Sequence, residues 1–265
     1  MTEPTHDADE PSPAIELEDV TVDYGTARAV DAVSLTVPRG ELLMLLGGSG
    51  SGKTTTLKTI NRLIEPTSGR VRVMGKDVLQ IEPPLLRRTI GYCFQMVGLF
   101  PHMTVSENVA MTPRLSGWSE ADTRARVEEL LELIELPAAT FGARLPHELS
   151  GGQRQRVGVA RALAARPEVV LFDEPFGALD PVLRESLQDS LSTIRRTLGL
   201  TGVFVTHDVL EAFALGDRIG VMRGGRLLQI GTPRELLRDP ADEYVKTLLE
   251  TPQRALRHLD GLASP

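Results

Sequence analysis

A glycine-rich segment directly after a short apolar run most constrains how this chain can fold. Residues 47–54 read Gly-Gly-Ser-Gly-Ser-Gly-Lys-Thr and match the pattern G-x-x-x-x-G-K-[ST]. Glycines at these spacings let backbone N–H groups surround phosphate oxygens, and the helix that follows directs its positive end at the same point. The pattern therefore predicts a buried strand over residues 41–46 and a helix from Lys53 to about Leu63.

Each position of this phosphate loop has an expected role. Lys53 should reach the β- and γ-phosphates of a nucleotide, and the Thr54 hydroxyl should ligate Mg²⁺. The remaining residues of the predicted nucleotide site in this segment are Gly47, Gly48, Ser49, Gly50, Ser51, Gly52 and Thr55. The alternative is a glycine-rich structural turn, which gives no reason for Lys and Thr to stand in register after the last glycine.

Apolar segments of strand length alternate with helical patterns along most of the chain. Strands are predicted over 15–22, 30–37, 41–46, 70–74, 169–172 and 203–205, with a hairpin over 219–230. Amphipathic patterns predict helices over 119–136 and 182–198. This alternation predicts an α/β fold with a largely parallel sheet. Residues 97–160 are rich in helical pattern and should form a helical subdomain.

Composition excludes several classes of protein. The 265 residues suffice for one large domain, and a net charge of −7 without a long basic run argues against a nucleic-acid partner. A single cysteine, Cys93, excludes an internal disulfide and a multi-cysteine metal site. No apolar run approaches the roughly 18–20 residues that span a bilayer, so a function at a membrane would require another chain.

Two carboxylates come directly after a predicted buried strand. Asp173 and Glu174 follow four apolar residues, and ligands bind at the carboxyl ends of strands in open α/β sheets. Neighbouring side chains point in different directions, so the two acids are expected to have separate roles. Asp173 is expected to hold Mg²⁺, directly or through water, and Glu174 to orient or deprotonate an attacking water. The alternative, a solvated turn, is disfavoured by the phosphate loop in the same chain.

Two further polar residues end apolar segments. His207 follows the strand over 203–205 and can contact a γ-phosphate and Glu174; the alternative is a surface or capping histidine. Gln95 ends the apolar run over 90–94 and can place an amide oxygen near Mg²⁺ and water. Spacing alone does not decide the role of Gln95.

Residues 149–153, Leu-Ser-Gly-Gly-Gln, resemble the signature sequence of the ABC ATPase superfamily, and the resemblance covers about residues 15–250. It implies a P-loop NTPase cassette with a RecA-like core, an antiparallel β subdomain and the helical subdomain. In that family two cassettes pair head to tail, with each nucleotide between the phosphate loop of one copy and the signature of the other. The residues implied to bind the ATP of the other copy are Ser150, Gly151, Gly152 and Gln153. Ser150 should also cap a helix, whose N-terminus is an anion site.

The resemblance implies roles for individual residues elsewhere. Tyr24 resembles the aromatic residue that stacks on adenine, and Gln95 the glutamine that touches Mg²⁺ and faces the membrane partner. His207 resembles the switch histidine, and Asp180 belongs to a segment, 176–180, that resembles the loop linking the two active sites across the dimer. Since these positions match the family pattern, an active ATP hydrolase that uses ATP and Mg²⁺ is implied.

Residues 98–109, Gly-Leu-Phe-Pro-His-Met-Thr-Val-Ser-Glu-Asn-Val, resemble importer ATPases for quaternary amines such as glycine betaine, choline, carnitine and proline betaine. The resemblance implies a homodimer of cassettes on the cytoplasmic face of the plasma membrane, working with integral membrane permease subunits and an external solute-binding protein. Those other chains select the solute, so an importer for another solute stays open. Leu99, Phe100 and Met103 are either exposed anchors for the membrane chain or subdomain core.

Two departures from relatives and two other protein classes bear on this interpretation. Met96 stands where many relatives have a second glutamine, and the residues after Leu249 leave no room for the paired regulatory domains of some osmoprotectant cassettes. ABC ATPases that act on DNA typically carry long coiled coils or zinc motifs, and neither pattern occurs in this acidic sequence. A nucleotide kinase or switch protein would have no use for the signature. The ATPase domain is therefore expected over residues 14–250, between a disordered tail (1–13) and a C-terminal tail (251–265).

Overall fold

The structure, a computed structural model, describes residues 12–95, 98–177 and 179–250. The C-terminal tail and nearly all of the predicted N-terminal tail lie outside these residues, as do Met96, Val97 and Ala178. Within the described residues the chain forms two β-sheets with helices packed against them. The predicted α/β fold with a largely parallel sheet is confirmed.

The two sheets differ in strand direction. The first is antiparallel and has the order β2-β1-β4-β5. The second has the order β10-β9-β3-β8-β7-β6 and is parallel except for the β9–β10 hairpin at its edge. The strands are β1 (Ile15–Asp23), β2 (Arg28–Val37), β3 (Leu42–Leu46), β4 (Ser68–Val73), β5 (Lys76–Asp77), β6 (Ile90–Cys93), β7 (Val169–Asp173), β8 (Gly202–Thr206), β9 (Arg218–Arg223) and β10 (Arg226–Gly231).

The central strands of the parallel sheet are buried on both faces, which explains their unbroken apolar sequences. Alternate residues enter different cores because side chains of a strand point to opposite faces. On β3, Leu42, Met44 and Leu46 belong to the main core, which they share with helices that follow β6, β7 and β8 in the chain. Leu43 and Leu45 pack instead with the antiparallel sheet and helix α1. Two cores therefore hold the parallel sheet between them.

Helices connect the strands of the parallel sheet and fill the segment between β6 and β7. They are α1 (Lys53–Ile60), α2 (Pro83–Thr89), α3 (Val105–Leu115), α4 (Glu120–Leu133), α5 (Ala138–Phe141), α6 (Gly151–Leu163), α7 (Pro181–Leu198), α8 (Val209–Leu215) and α9 (Pro233–Arg238), and residues 243–250 are also helical. Helices α3 to α6 correspond to the helix-rich segment predicted over 97–160, although α6 continues to Leu163.

Two helices end earlier than the apolar pattern predicts. Helix α1 stops at Ile60 and not near Leu63, because Arg62 adopts a left-handed backbone (φ 54°) and the N–H of Leu63 turns back to the carbonyl of Lys58. Helix α4 stops at Leu133 and not at Leu136, because Glu135 adopts a left-handed backbone (φ 58°). A left-handed residue of this kind closes a helix, but it is usually glycine or asparagine.

Candidate functional site

The register of the parallel sheet brings three chain segments to one edge. Leu46 at the end of β3 pairs with Thr206 at the end of β8, and Asp173 at the end of β7 pairs with Val205. The phosphate loop, Glu174 and His207 follow these strand ends directly. The carboxyl edge of the sheet therefore collects the residues that the sequence singles out, as expected for an open α/β sheet.

The phosphate loop runs from Gly47 to the first turn of α1 and contains glycines at which a Cβ atom would collide with backbone. A Cβ atom on Gly47 would lie 2.2 Å from the carbonyl oxygen of Met222. Gly52 has a φ of 101°, and a Cβ there would lie 2.4 Å from the carbonyl oxygen of Ala29. The loop is thus held tightly against β9 and β2, while Gly48, Ser49 and Gly50 are exposed. Ser51 is buried below them, and Thr55 is half-buried on α1.

Lys53 is buried, with 4% of its surface exposed, and its ammonium group lies inside the loop. It donates hydrogen bonds to the carbonyl oxygens of Gly47 (2.8 Å) and Gly48 (3.0 Å), and lies 3.4 Å from the Ser51 hydroxyl. Burial lowers the pKa of Lys53, and the carboxylates of Glu174 and Asp173 oppose that change. The loop therefore holds a positive charge next to exposed backbone N–H groups, which is the arrangement that binds a phosphate.

The Asp173 carboxylate is held on both oxygens. Thr54 donates its hydroxyl to Oδ1 at 2.8 Å, and Tyr92 donates its hydroxyl to Oδ2 at 2.9 Å. The Lys58 ammonium lies 4.0 Å from Oδ2. Burial and the neighbouring carboxylate raise the pKa of Tyr92, so its hydroxyl stays a donor. Neither Tyr92 nor Lys58 was predicted from the sequence. The one available signal was that Tyr92 lies on the apolar run over 90–94 that ends at Gln95.

The hydroxyl of Thr54 and the carboxylate of Asp173 suit Mg²⁺, which prefers oxygen ligands. Among the described residues no cluster of three or more His, Cys, Asp or Glu side chains could hold a metal. One carboxylate and one hydroxyl leave most of the six Mg²⁺ positions to water and nucleotide phosphates, which is how Mg²⁺ usually binds at such sites. The residues present therefore fit a metal that arrives with a nucleotide.

Glu174 points away from Asp173 because the chain turns sharply between them. Glu174 has a left-handed backbone (φ 44°), and the N–H of Gly177 bonds back to its carbonyl at 3.2 Å. Left-handed backbone in a residue of this type is uncommon and often marks a functional site. The Glu174 carboxylate meets Nδ1 of His207 at 3.2 Å. The two acids thus have separate partners: Asp173 is hydrogen-bonded to Thr54 and Tyr92, and Glu174 to His207.

A second polar cluster lies behind Glu174 and His207, and the sequence did not predict it. Arg184 on α7 donates to the carboxylate of Asp208 (3.2 Å) and to the carbonyl oxygen of Leu179 (3.3 Å). Glu211 on α8 is 4% exposed, and burial raises its pKa. Gln188 donates to its Oε1 at 3.3 Å. Helices α7 and α8 are therefore tied together next to the loops that carry Asp180 and His207.

The remaining predicted residues lie apart from this centre. Tyr24 is 60% exposed in the turn between β1 and β2. Gln95 is exposed two residues beyond β6, and no hydrogen bond within the described residues connects it to the phosphate loop. Asp180 caps α7 by accepting from the N–H of Leu183 at 3.0 Å. The roles predicted for these three residues therefore stay predictions.

The signature segment forms the start of α6. The Ser150 hydroxyl accepts from the N–H of Gln153 (3.2 Å), and the Gln153 side chain accepts from the N–H of Ser150 (2.9 Å), so the helix begins with a capping box. Gly151 is half-buried, and a Cβ there would meet only the Arg154 guanidinium, at 4.0 Å, whereas a Cβ on Gly152 would lie 3.2 Å from the Leu183 side chain. The predicted cap by Ser150 is present. Within the described residues, no hydrogen bond connects the N-terminus of α6 to the phosphate loop.

A cavity of about 430 Å³ lies between the parallel sheet and the helices that follow β6. Its apolar lining includes Tyr92, Phe94 and Phe100. Of the three residues with two possible roles, Phe100 is exposed, and Leu99 and Met103 are half-buried. Leu99 packs against the main core, so the three residues do not share one role.

Comparison with known proteins gives the family. A protein-family model described as ABC transporter matches residues 30–177, more than half of the chain. This chain belongs to the ABC transporter family. A solved dimeric ATP-binding cassette, in a post-hydrolysis state bound to ADP and Pi, is 34% identical with a TM-score of 0.72, over 82% of this chain and 98% of that one. The cassette fold implied by the signature is therefore confirmed.

Curated relatives are similar over most of this chain. The glycine betaine/carnitine/choline transport ATP-binding protein OpuCA of Bacillus subtilis is 49% identical over 89% of this chain and 62% of the relative. The spermidine/putrescine import ATP-binding protein PotA of Thermobifida fusca is 47% identical over 90% of this chain and 62% of the relative. Relatives named for choline, carnitine, osmoprotectant or glycine betaine transport are 45–52% identical. The chain spans about three fifths of the length of the first of these relatives.

Proposed function

We propose that this chain is the ATP-hydrolysing subunit of an ABC importer that takes up osmoprotectant quaternary amines through a separate membrane permease. One observation carries the hydrolytic part of the proposal. The Glu174 carboxylate, bonded to His207, and the Asp173 carboxylate, bonded to Thr54, flank the same phosphate loop on separate strand ends. A nucleotide held by Lys53 and the loop would place its terminal phosphate between a metal-binding acid and a second acid that is bonded to His207.

Hydrolysis would follow from the separate environments of the two acids. Thr54 and Asp173 would hold Mg²⁺ together with the phosphates, and the bound metal would neutralise charge that develops on them. Glu174 would accept a proton from the attacking water, and His207, at 3.2 Å, would keep the carboxylate oriented toward the γ-phosphate. When the nucleotide binds, before any of these steps, Lys53 would turn from the loop carbonyls toward the β- and γ-phosphates. Tyr24 is exposed and free to stack on the adenine ring.

Two copies would close around two nucleotides. The α6 N-terminus, with Ser150, Gly151, Gly152 and Gln153, is an anion site that requires a second copy to meet a phosphate loop. Asp180 begins α7 beside the Glu174–Gly177 turn, so it can connect the two sites. The similarity to a solved dimeric cassette bound to ADP and Pi supports this arrangement. Loss of the γ-phosphate would remove contacts to both copies and reopen the pair.

The membrane partner would contact the cavity lined by Phe94 and Phe100, next to the exposed Gln95. Within the described residues no helix is long and apolar enough to cross a bilayer. The span would come from permease chains, with this chain bound peripherally at the cytoplasmic face and a solute-binding protein acting outside. No nucleic-acid partner is proposed, since the net charge is −7.

The solute proposal rests on the names of the relatives and on the segment over 98–109. OpuCA and the other relatives named for choline, carnitine or glycine betaine support quaternary amines as the solute. PotA is almost as similar and is named for spermidine and putrescine, so an importer of polyamines is the second candidate. Both solute classes carry positively charged nitrogen groups, and the cassette itself contacts neither.

The test is uptake of labelled glycine betaine, choline and spermidine by salt-stressed cells in which this chain replaces the native copy. Wild type should restore uptake of the quaternary amines, and Glu174→Gln should abolish it while the protein still binds ATP. A general base contributes about 10²–10⁴-fold to a rate, so ATPase activity of Glu174→Gln should fall by at least about 100-fold.

Glu128→Gln is the matched control, because Glu128 is exposed on α4, away from the strand ends. It should leave uptake and ATPase activity unchanged. Uptake of spermidine alone would mean that the chain serves an importer of polyamines, the second candidate, and not of quaternary amines. Normal ATPase activity in Glu174→Gln would contradict the hydrolytic role of that residue.

A further inference from the structure

Tyr92 has contacts on two sides that the proposed function does not use. Its hydroxyl donates to Oδ2 of Asp173 at 2.9 Å. Its ring lines the cavity between the parallel sheet and the following helices, and the ring centroid lies 4.5 Å from that of Phe94. Phe94 is 46% exposed in the same cavity. The Tyr92 side chain thus connects the wall of the cavity with Asp173, the carboxylate proposed to hold Mg²⁺.

The hydrogen bond from Tyr92 fixes the rotation of the Asp173 carboxylate. Thr54 occupies Oδ1, but the same hydroxyl is expected to turn toward Mg²⁺, which would release that oxygen. Within the described residues, Tyr92 is then the hydroxyl that still holds the other oxygen, with the Lys58 ammonium farther away at 4.0 Å. A metal ligand whose orientation is fixed by an outer hydrogen bond binds its metal more tightly.

We propose that Tyr92 is a positioning residue that orients Asp173 for Mg²⁺ and makes this orientation depend on the packing of Phe94 in the cavity. The inference rests on the MgATP site proposed above. The ring contact at 4.5 Å means that a shift of Phe94 must be accommodated by the Tyr92 ring. Because β6 pairs with β7 directly beside the site, such a shift reaches Asp173 through one hydrogen bond.

A purely structural role would explain the ring of Tyr92 but not its hydroxyl. A buried tyrosine packs through its ring, and phenylalanine at the same position preserves that packing. Tyr92→Phe therefore removes the hydrogen bond to Asp173 and little else. Groups that hydrogen-bond to a metal ligand typically contribute about 10–100-fold in metal affinity. Because the nucleotide phosphates would also hold the Mg²⁺, the contribution of Tyr92 through Asp173 should lie near the low end of this range.

The first experiment titrates Mg²⁺ into the purified full chain saturated with a fluorescent ATP analogue. Tyr92→Phe should raise the apparent Kd for Mg²⁺ by about 5- to 10-fold. Nucleotide affinity in EDTA should stay at the wild-type value, and the thermal unfolding midpoint should fall by no more than the loss of one hydrogen bond to a buried carboxylate explains. Tyr244→Phe is the matched control, because the Tyr244 ring packs on Arg223 and no hydrogen bond within the described residues connects its hydroxyl to Asp173. It should change none of the three quantities.

The second experiment tests the dependence on the cavity with a double-mutant cycle on the Mg²⁺ affinity. Phe94→Ala should weaken Mg²⁺ binding by about 3-fold in the wild type and have no effect in Tyr92→Phe, because neighbours that act through one contact are not additive. Equal effects of Phe94→Ala in both backgrounds would overturn the connection to the cavity. An unchanged Kd for Mg²⁺ in Tyr92→Phe would overturn the positioning role. If wild type bound no nucleotide, the proposed function would fail first, and the inference with it.

Discussion

Gly47 and Gly48 are neighbours in the phosphate loop, yet the structure requires only one of them for steric reasons. A Cβ on Gly47 would lie 2.2 Å from the carbonyl oxygen of Met222 and 2.8 Å from the Ser51 hydroxyl. A Cβ on Gly48 would meet nothing within 4 Å, and its φ is not left-handed. Gly47→Ala should therefore lower the free energy of unfolding by about 1–3 kcal/mol, the usual cost of overpacking.

Gly48→Ala is the control and should change the free energy of unfolding by less than about 0.5 kcal/mol. Urea unfolding of both variants measures the difference. Equal stabilities would mean that the loop can move away from β9. The motif pattern assigns both glycines to phosphate binding, and only the structure separates the one needed for packing.

At the same scale, the sequence predicted most residues of the candidate site but not the residues that hydrogen-bond to them and hold them in place. Lys53 and Thr54 could be predicted because they belong to the phosphate-loop pattern. Asp173, Glu174 and His207 could be predicted because they end or directly follow apolar strands. Tyr92 and Arg184 could not, since each supports the site through a contact between residues distant in sequence (Tyr92 with Asp173, Arg184 with Asp208). Such contacts depend on register and on helix packing, which periodicity does not give.

At the scale of elements, the contact between α7 and α8 contains a buried acid whose ionisation has a stability cost. Burial is the main cause that raises the pKa of Glu211 above its ordinary value of 4.5; Asp208 adds to the rise, while Arg184, Gln188 and Thr206 oppose it. Below pH 4.5 the carboxyl is protonated in both the folded and unfolded states. As the pH rises above 4.5 the unfolded chain releases the proton first, so stability is lost up to the raised pKa.

Glu211→Gln should therefore be more stable than wild type at pH 7–8, by about 1 kcal/mol, near the low end of the cost of burying a polar group. The difference should vanish near pH 4. Urea unfolding from pH 4 to pH 8 measures it. Glu185→Gln, exposed on the neighbouring helix α7, is the control and should show no such trend. A difference that is constant with pH would mean that the gain does not come from the proton.

The sequence predicted most strands and the long helices, but not where the helices end. Helices α1 and α4 both end at left-handed residues that are neither glycine nor asparagine, Arg62 and Glu135. The apolar pattern continues past both ends, because some of the residues that follow are still packed: Ile64 against the core of the antiparallel sheet and Leu136 in the main core. Tertiary packing therefore determines these boundaries, and local pattern does not record it.

At the scale of the whole molecule, the proposed nucleotide site has two parts, the phosphate loop and the signature segment at the start of α6, which lie far apart in the chain. The N-terminus of α6 is already hydrogen-bonded by its own cap. Ser150 caps α6 whether or not a second copy is present, so its sequence alone cannot separate the cap from phosphate recognition. Substitutions can separate the two roles. Aspartate is as good a cap as serine, whereas alanine is a poor one. Aspartate, however, would bring a negative charge toward the γ-phosphate of the other copy.

In a Glu174→Gln background, which should retain MgATP, the chain is expected to form a dimer on addition of MgATP, as measured by light scattering. Ser150→Ala should cost about 1 kcal/mol of stability through the lost cap and weaken the dimer by about 10-fold through one lost hydrogen bond. Ser150→Asp should keep its stability and yet form no dimer, because two anions would face each other across the interface. If the dimer instead followed stability, with aspartate equal to serine and alanine the weaker, Ser150 would be a helix cap alone and the shared nucleotide site would have to lie elsewhere.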